Sequence, residues 1–260
     1  MKLIDKGVER ADWTTNVLGK INVGSEGEKS TASFELDGKK IDGFFIKQVE
    51  SVEEAEEQRK KWQSLKKRGV EVSPIFRIAR DENSVVWIIT KDLSEGGKKW
   101  VLSSNNREIL EDPEYWRAVI SINKQTKKKI VRNTLDVAIK AGTRGSDGRS
   151  LAFFRKNAKT YPLTLVVDKE NPTLTQVVVV DLGIDVSFSE ENSENIIKGN
   201  IEEAILFLSE VLGIFTEIPP DHSAYQYRDF FSDSEWRDFK NQKTYFDLYY
   251  LSKLLGINIT

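Results

Sequence analysis

Phe44-Phe45-Ile46-Lys47-Gln48-Val49-Glu50-Ser51-Val52-Glu53-Glu54 decides how this chain is read. Its first half belongs to an apolar strand, Ile41 to Val49, and Lys47 interrupts that strand near its end. Its second half starts a helix. Ser51 and Glu54 have the spacing of a capping box, in which each side chain satisfies a backbone N–H of the first turn. Val52, Ala55, Trp62 and Leu65 recur at helical spacing, and Gly69 stands where a C′ glycine ends a helix.

Upstream, Val17 to Val23 and Thr31 to Leu36 read as strands separated by a Gly/Ser/Glu loop. Asp37-Gly38 is a hairpin signal, and the neighbouring Lys39-Lys40 suggests a slightly longer loop. Downstream, Pro74 to Ala79 and Ser84 to Thr90 read as a strand pair turning at Asp81-Glu82-Asn83. Ser94-Glu95-Gly96-Gly97 is polar, follows the apolar run Val85 to Ile89, and marks a boundary between residues 1–93 and 94–260.

Beyond it the periodicity is mostly helical. Asp112-Pro113 opens a long helix through about Ala141, with Pro in the first turn. Gly142 to Gly148 is a loop. Leu163 to Val167 and Gln176 to Val180 pair around Asn171-Pro172-Thr173. Ile201, Ala204, Ile205, Leu208, Val211, Leu212 and Phe215 make a broad apolar helix face, with Asn200 and Glu203 as its expected cap. Ser232 and Glu235 repeat the capping-box pattern before a final helix. The expected class is therefore α+β: a small antiparallel sheet lobe carrying one helix, 51–68, then a larger, mainly helical lobe.

Composition removes several functions. The 260 residues contain no Cys and one His, so disulfides, thiol nucleophiles and His-cluster metal sites are excluded, and any Ser-His-Asp triad must use His222. The first residues lack the apolar core of a signal peptide, and no apolar run approaches the ~20 residues that span a bilayer. A cytoplasmic protein with no membrane partner is expected. A formal net charge of −2 gives no whole-chain reason to bind nucleic acid. Lys124, Lys127, Lys128, Lys129 and Arg132 form a local basic cluster that reads as a solvated helix face or as a grip for an acidic partner.

A second charged residue matches Lys47 in setting. Asp181 leaves the four-valine strand Val177 to Val180 and begins Asp181-Leu182-Gly183. A carboxylate at such an exit must be solvated, paired or on a metal. Phosphoryl transfer uses a cation on the phosphates and a carboxylate on magnesium, because the catalysis is mostly positioning and charge neutralisation.

This order of strands, lysine, capped helix, Gly-Gly connection and helical remainder resembles the protein-kinase-like superfamily, over roughly residues 16–215. The resemblance implies a two-lobed fold that binds ATP and Mg²⁺ between the lobes and transfers the γ-phosphoryl group to a protein or small-molecule hydroxyl. It implies that Lys47 contacts the nucleotide phosphates, that Gly24, Ser25 and Gly27 cover them, and that Asp181 holds Mg²⁺. It implies that backbone groups of Asp92 and Ser94 meet the adenine. The position of the glutamate that pairs with the strand lysine falls on Gln58, with Glu54 as the alternative carboxylate.

The chain departs from the family in its catalytic loop, because no His-Arg-Asp with a following Asn is present. Asp147, in the loop Gly142 to Gly148, is the candidate base, although Ala152 stands where a second metal ligand would follow. Arg155-Lys156-Asn157 lies nearer the expected distance before the hairpin. A catalytically inactive, nucleotide-binding scaffold of the same fold is therefore a second reading. An α+β interaction protein unrelated to kinases is a third.

Overall fold

The computed structural model describes residues 18–23, 30–31, 34–102, 107–153, 162–183 and 186–212. The fold is mixed α+β, with small antiparallel sheets and several helices. The described residues divide into two compact units. One lies within Met1–Lys67 and Val72–Lys99, the other within Arg68–Glu71 and Trp100–Thr260.

In the first unit, β1 (Ile21–Val23), β3 (Phe34–Leu36) and β4 (Lys39–Ile41) form one sheet in the order β1-β3-β4. Leu36 pairs with Lys39, so the β3–β4 hairpin closes on two residues rather than the longer loop expected. Asp37 and Gly38 both adopt positive φ, +51° and +73°, and this double left-handed turn is what lets so short a connection match the strand twist. The expected strand from Thr31 to Leu36 is likewise divided. β2 (Ser30–Thr31) and β3 belong to different sheets.

The second sheet, in the order β2-β5-β7-β6, contains β5 (Phe44–Val49), β6 (Phe76–Arg80) and β7 (Val86–Lys91). The run Ile41–Val49 is thus two strands, because Asp42-Gly43 breaks it. Opposed residues of an antiparallel pair share a face. Phe44, Ile46, Trp87, Ile89 and Ala79 line one face and join Phe34 and Ile41 in a buried core. The other face carries Phe45, Lys47 and Val49 with Ile88, Val86, Phe76 and Ile78. Helix α1 (Val52–Lys67) covers this second face, with Trp62 6.0 Å from Phe76 between ring centroids.

Besides the expected strand pair, the second unit contains three described strands that the helical periodicity hides, β8 (Lys99–Leu102), β9 (Ser150–Phe153) and β12 (Val186–Ser189). β8, β10 (Leu163–Asp168) and β11 (Gln176–Val179) form a sheet in the order β11-β10-β8. β9 and β12 form an antiparallel pair. The expected long helix is interrupted. After the short α2 (Arg107–Leu110), α3 (Pro113–Ser121) ends at Ile122, and α4 (Lys124–Gly142) begins after Asn123. Ile122 and Asn123 are extended, and the Asn123 side-chain Oδ1 accepts the Thr126 N–H at 2.9 Å, giving the second helix its own cap.

α5 (Ser193–Leu212) also starts earlier than expected. Asn192 accepts the Glu194 N–H at 3.0 Å, so Asn192 takes the capping place, and Asn200 and Glu203 lie inside the helix. α4 and α5 pack together, and they meet closely at Gly142. A Cβ there would stand 2.7 Å from Ile197 Cγ1 and 2.8 Å from its Cα. Trp100 is buried and Trp116 half-buried, both against Tyr115. No described helix is long and apolar enough to cross a membrane.

Candidate functional site

Lys47 is half-buried on β5, in register with Ile88 of β7 and Ser30 of β2, on the sheet face that α1 covers. Its place follows from strand alternation, which turns Phe44 and Ile46 into the core and Lys47 the other way. The helix that follows is fixed at its start. Ser51 Oγ accepts the Glu54 N–H at 3.1 Å. Glu54 Oε2 accepts the Glu50 N–H at 2.9 Å, one residue before the serine that a capping box would use. Glu54 Oε1 accepts from Gln58 Nε2 at 3.1 Å. Glu54 and Gln58, the two candidates for the residue opposite Lys47, are therefore bonded to each other. Lys61 is also buried on α1, and its ammonium lies 3.0 Å from Glu57.

Asp92 and Ser94 are brought together after β7. Asp92 is buried, and its carboxylate accepts the Ser94 N–H at 2.8 Å, the Ser94 hydroxyl at 2.8 Å and the Gly96 N–H at 3.3 Å. Asp92 donates its own N–H to Gly43, and the Ser94 carbonyl accepts from Gly97 and Lys99. The Ser94 backbone groups expected to meet an adenine are thus engaged inside the loop, and the Asp92 N–H is engaged with Gly43. The Leu93 N–H and C=O enter none of these bonds.

In the second unit Asp181 is half-buried just beyond β11, with Oδ1 accepting the Gly183 N–H at 3.1 Å. Phe153 opposes Val186 and Leu163 opposes Val179, while the Val180 N–H donates to the Pro162 carbonyl. The six residues from Val180 to Asp185 join β11 to β12 and reach about 20 Å at most. Asp181 thus lies two residues beyond the end of β11, on the connection that leads to β12. Among the described residues, no three acidic or His side chains cluster as a ready metal cage.

Asp147 is exposed in the loop after α4. Its carboxylate accepts the Arg149 N–H at 3.2 Å and lies 3.3 Å from the Arg149 guanidinium. Desolvation raises its pKa, but the Arg149 N–H, the Arg149 charge and side-chain bond, and the Arg68 charge together outweigh this. The group is held below its ordinary value. That lowers its strength as a base.

Arg68 is the residue that sequence reasoning missed. Its Nη1 donates to the carbonyls of Ala141 at 2.8 Å, Lys140 at 3.4 Å and Thr143, and its Nη2 donates to Arg149 at 2.9 Å. It satisfies the orphan carbonyls at the α4 C-terminus and complements the negative end of the dipole. Burial lowers its pKa, partly countered by Asp147. In the sequence it closes the run Lys66-Lys67-Arg68, which reads only as a basic helix end. Gly24, Ser25, Gly27 and the Arg155-Lys156-Asn157 run lie outside the described residues, as do His222 and the final helix.

No protein-family model matches the chain, and no curated protein sequence matches it.

Proposed function

We propose that this protein is a divergent, two-lobed kinase-like protein that binds ATP–Mg²⁺, with Lys47 on the phosphates and Asp181 on the metal. The observation that carries the reading is the setting of Asp181. A half-buried carboxylate stands on the connection from β11 to β12, with Oδ1 accepting the Gly183 N–H. Lys47 supports it as a half-buried cation on the helix-covered face of a sheet, followed directly by a helix whose first two turns are locked.

In this reading Leu93 supplies the backbone groups for the adenine edge, since the Ser94 N–H and carbonyl are spent on the turn and the Asp92 N–H on Gly43. Gln58 orients near the phosphates without neutralising charge, and Glu54 holds its amide. Gly24, Ser25 and Gly27 remain the proposed phosphate cover.

The state of Asp147 favours nucleotide binding without transfer. Its carboxylate is committed to Arg149 and its pKa is lowered, so γ-phosphoryl transfer to a hydroxyl would lack a strong base. The test is a thermal-shift series with ATP–Mg²⁺ on wild type, Lys47→Ala and Asp181→Ala. Wild type should be stabilised by about 2.7 kcal/mol at a hundredfold excess over Kd, and both variants should lose most of that shift. An unmoved wild type removes the proposal. Transfer of labelled γ-phosphate to the protein itself or to a protein mixture then separates kinase from scaffold.

A further inference from the structure

Among the described residues, the large apolar side chains left exposed are Ile120 on α3, Leu174, and Leu206 on α5, and all three belong to the second unit. Two of them lie on elements that pack together. Leu174, 62% exposed, ends the short helical turn Pro172–Leu174, and this turn packs on α3. On α3 itself, Trp116 stands one turn before Ile120 and is half-buried. Its Nε1 donates to the Leu110 carbonyl at 2.6 Å, so it has only apolar ring left to offer a partner. Single exposed apolar residues are ordinary on a protein surface, whereas apolar residues gathered on adjoining elements mark an interaction face.

The path of the chain selects the occupant. α5 ends at Leu212, and Tyr115, the neighbour of Trp116, donates its hydroxyl to the Val211 carbonyl. The described chain therefore ends beside α3. The sequence beyond it carries an apolar stripe of its own. Trp236, Phe239, Phe246, Tyr250 and Leu254 recur at helical spacing behind the capping-box pair Ser232 and Glu235. An amphipathic helix takes most of its stability from burying such a stripe, so this segment needs an apolar face to rest on. We propose that the stripe from Trp236 to Leu254 docks on the α3 face formed by Trp116, Ile120 and Leu174.

The connection permits the contact. Residues 213–231 reach about 60 Å when extended, against about 14 Å for the whole length of α3. A segment tethered in this way meets the face at an effective concentration of about millimolar, well above that of a separate molecule in dilute solution. That advantage favours the chain's own stripe over a second copy or another protein. The proposal is independent of nucleotide binding.

The chain has no Cys, so one introduced thiol reports the cover over its own position. In dilute full chain, Ile120→Cys should react with N-ethylmaleimide roughly tenfold more slowly than Asn195→Cys, an exposed position at the start of α5. Adding Phe239→Ser with Phe246→Ser should raise the Ile120→Cys rate to that of the control. Should that pair lower Tm, Ile120→Cys with Phe246→Cys carries the test. A short bis-maleimide should then join residues 120 and 246 within one chain, and should not join Asn195→Cys with Phe246→Cys. Equal rates at the two single thiols overturn the proposal. So does protection that fades on dilution, which would assign the face to a second copy, or a link that forms only between chains.

Discussion

Gln58 on α1 and Asn200 on α5 are both buried amides inside helices, 4% and 1% exposed, and they are used in opposite ways. Gln58 donates to Glu54, one turn back on its own helix. Asn200 bonds to other elements. Its Nδ2 donates to Ala138 at 3.1 Å and Leu151 at 2.9 Å, and its Oδ1 accepts the Phe153 N–H at 2.7 Å. The first bond tightens a helix start; the second set ties α4, α5 and β9 together. The contrast shows that a buried amide in the first unit serves local order, while one in the second unit serves tertiary assembly.

The strongest way to break that contrast is Asn200→Ala. It removes three buried bonds, including the side-chain acceptor of the Phe153 N–H, so a loss of about 3 kcal/mol is expected in urea unfolding. A loss no larger than that of an ordinary surface substitution would show the clasp to be dispensable. Gly142→Ala tests the same assembly by steric means. The added methyl meets Ile197 at 2.7–2.8 Å, so α4 and α5 must separate, at about 2 kcal/mol. A neutral result would mean that this crossing is loose.

The same contrast explains what the sequence disclosed. Ser51 with Glu54 was legible because a capping box spans four residues and depends on nothing distant. The β10–β11 pair was legible because two apolar runs flank a turn, and Asp168 does hold that turn through the Glu170 and Asn171 N–H groups. β9 and β12 were not legible. Each is four residues long, and each finds its partner more than thirty residues away. Asn200 read as a cap because an Asn before an apolar stripe usually is one, and only the fold reveals Ala138, Leu151 and Phe153 around it. Of the candidate site, the residues were nameable but their commitments were not. Nothing local announces that Asp92 folds its carboxylate onto its own loop, or that Asp147 belongs to Arg149.

Smaller effects sharpen the local side of the comparison. Ser51→Ala should cost about 1 kcal/mol, with faster hydrogen exchange confined to the first turn of α1. Exchange spreading into the sheet would contradict a purely local role. The slightest effect concerns acid. The folded pKa of Asp147 is depressed, so its contribution is present above the ordinary carboxylate range and is lost as pH falls through the folded value. Wild type should therefore lose slightly more stability on acidification than Asp147→Asn does, as followed by Tm against pH. Parallel curves would refute the coupling to Arg149.

Arg68 to Glu71 belong to the second unit although both flanking stretches of chain belong to the first. Lys140 reaches the Gly69 carbonyl at 3.4 Å, and the Val179 N–H donates to Glu71 at 2.9 Å. A gene divided at Gly96-Gly97, where composition invites the division, would strand those four residues on the wrong polypeptide. The later fragment would be made with a frayed helix end and an unmet strand amide, and only co-expression of both pieces should give a soluble product.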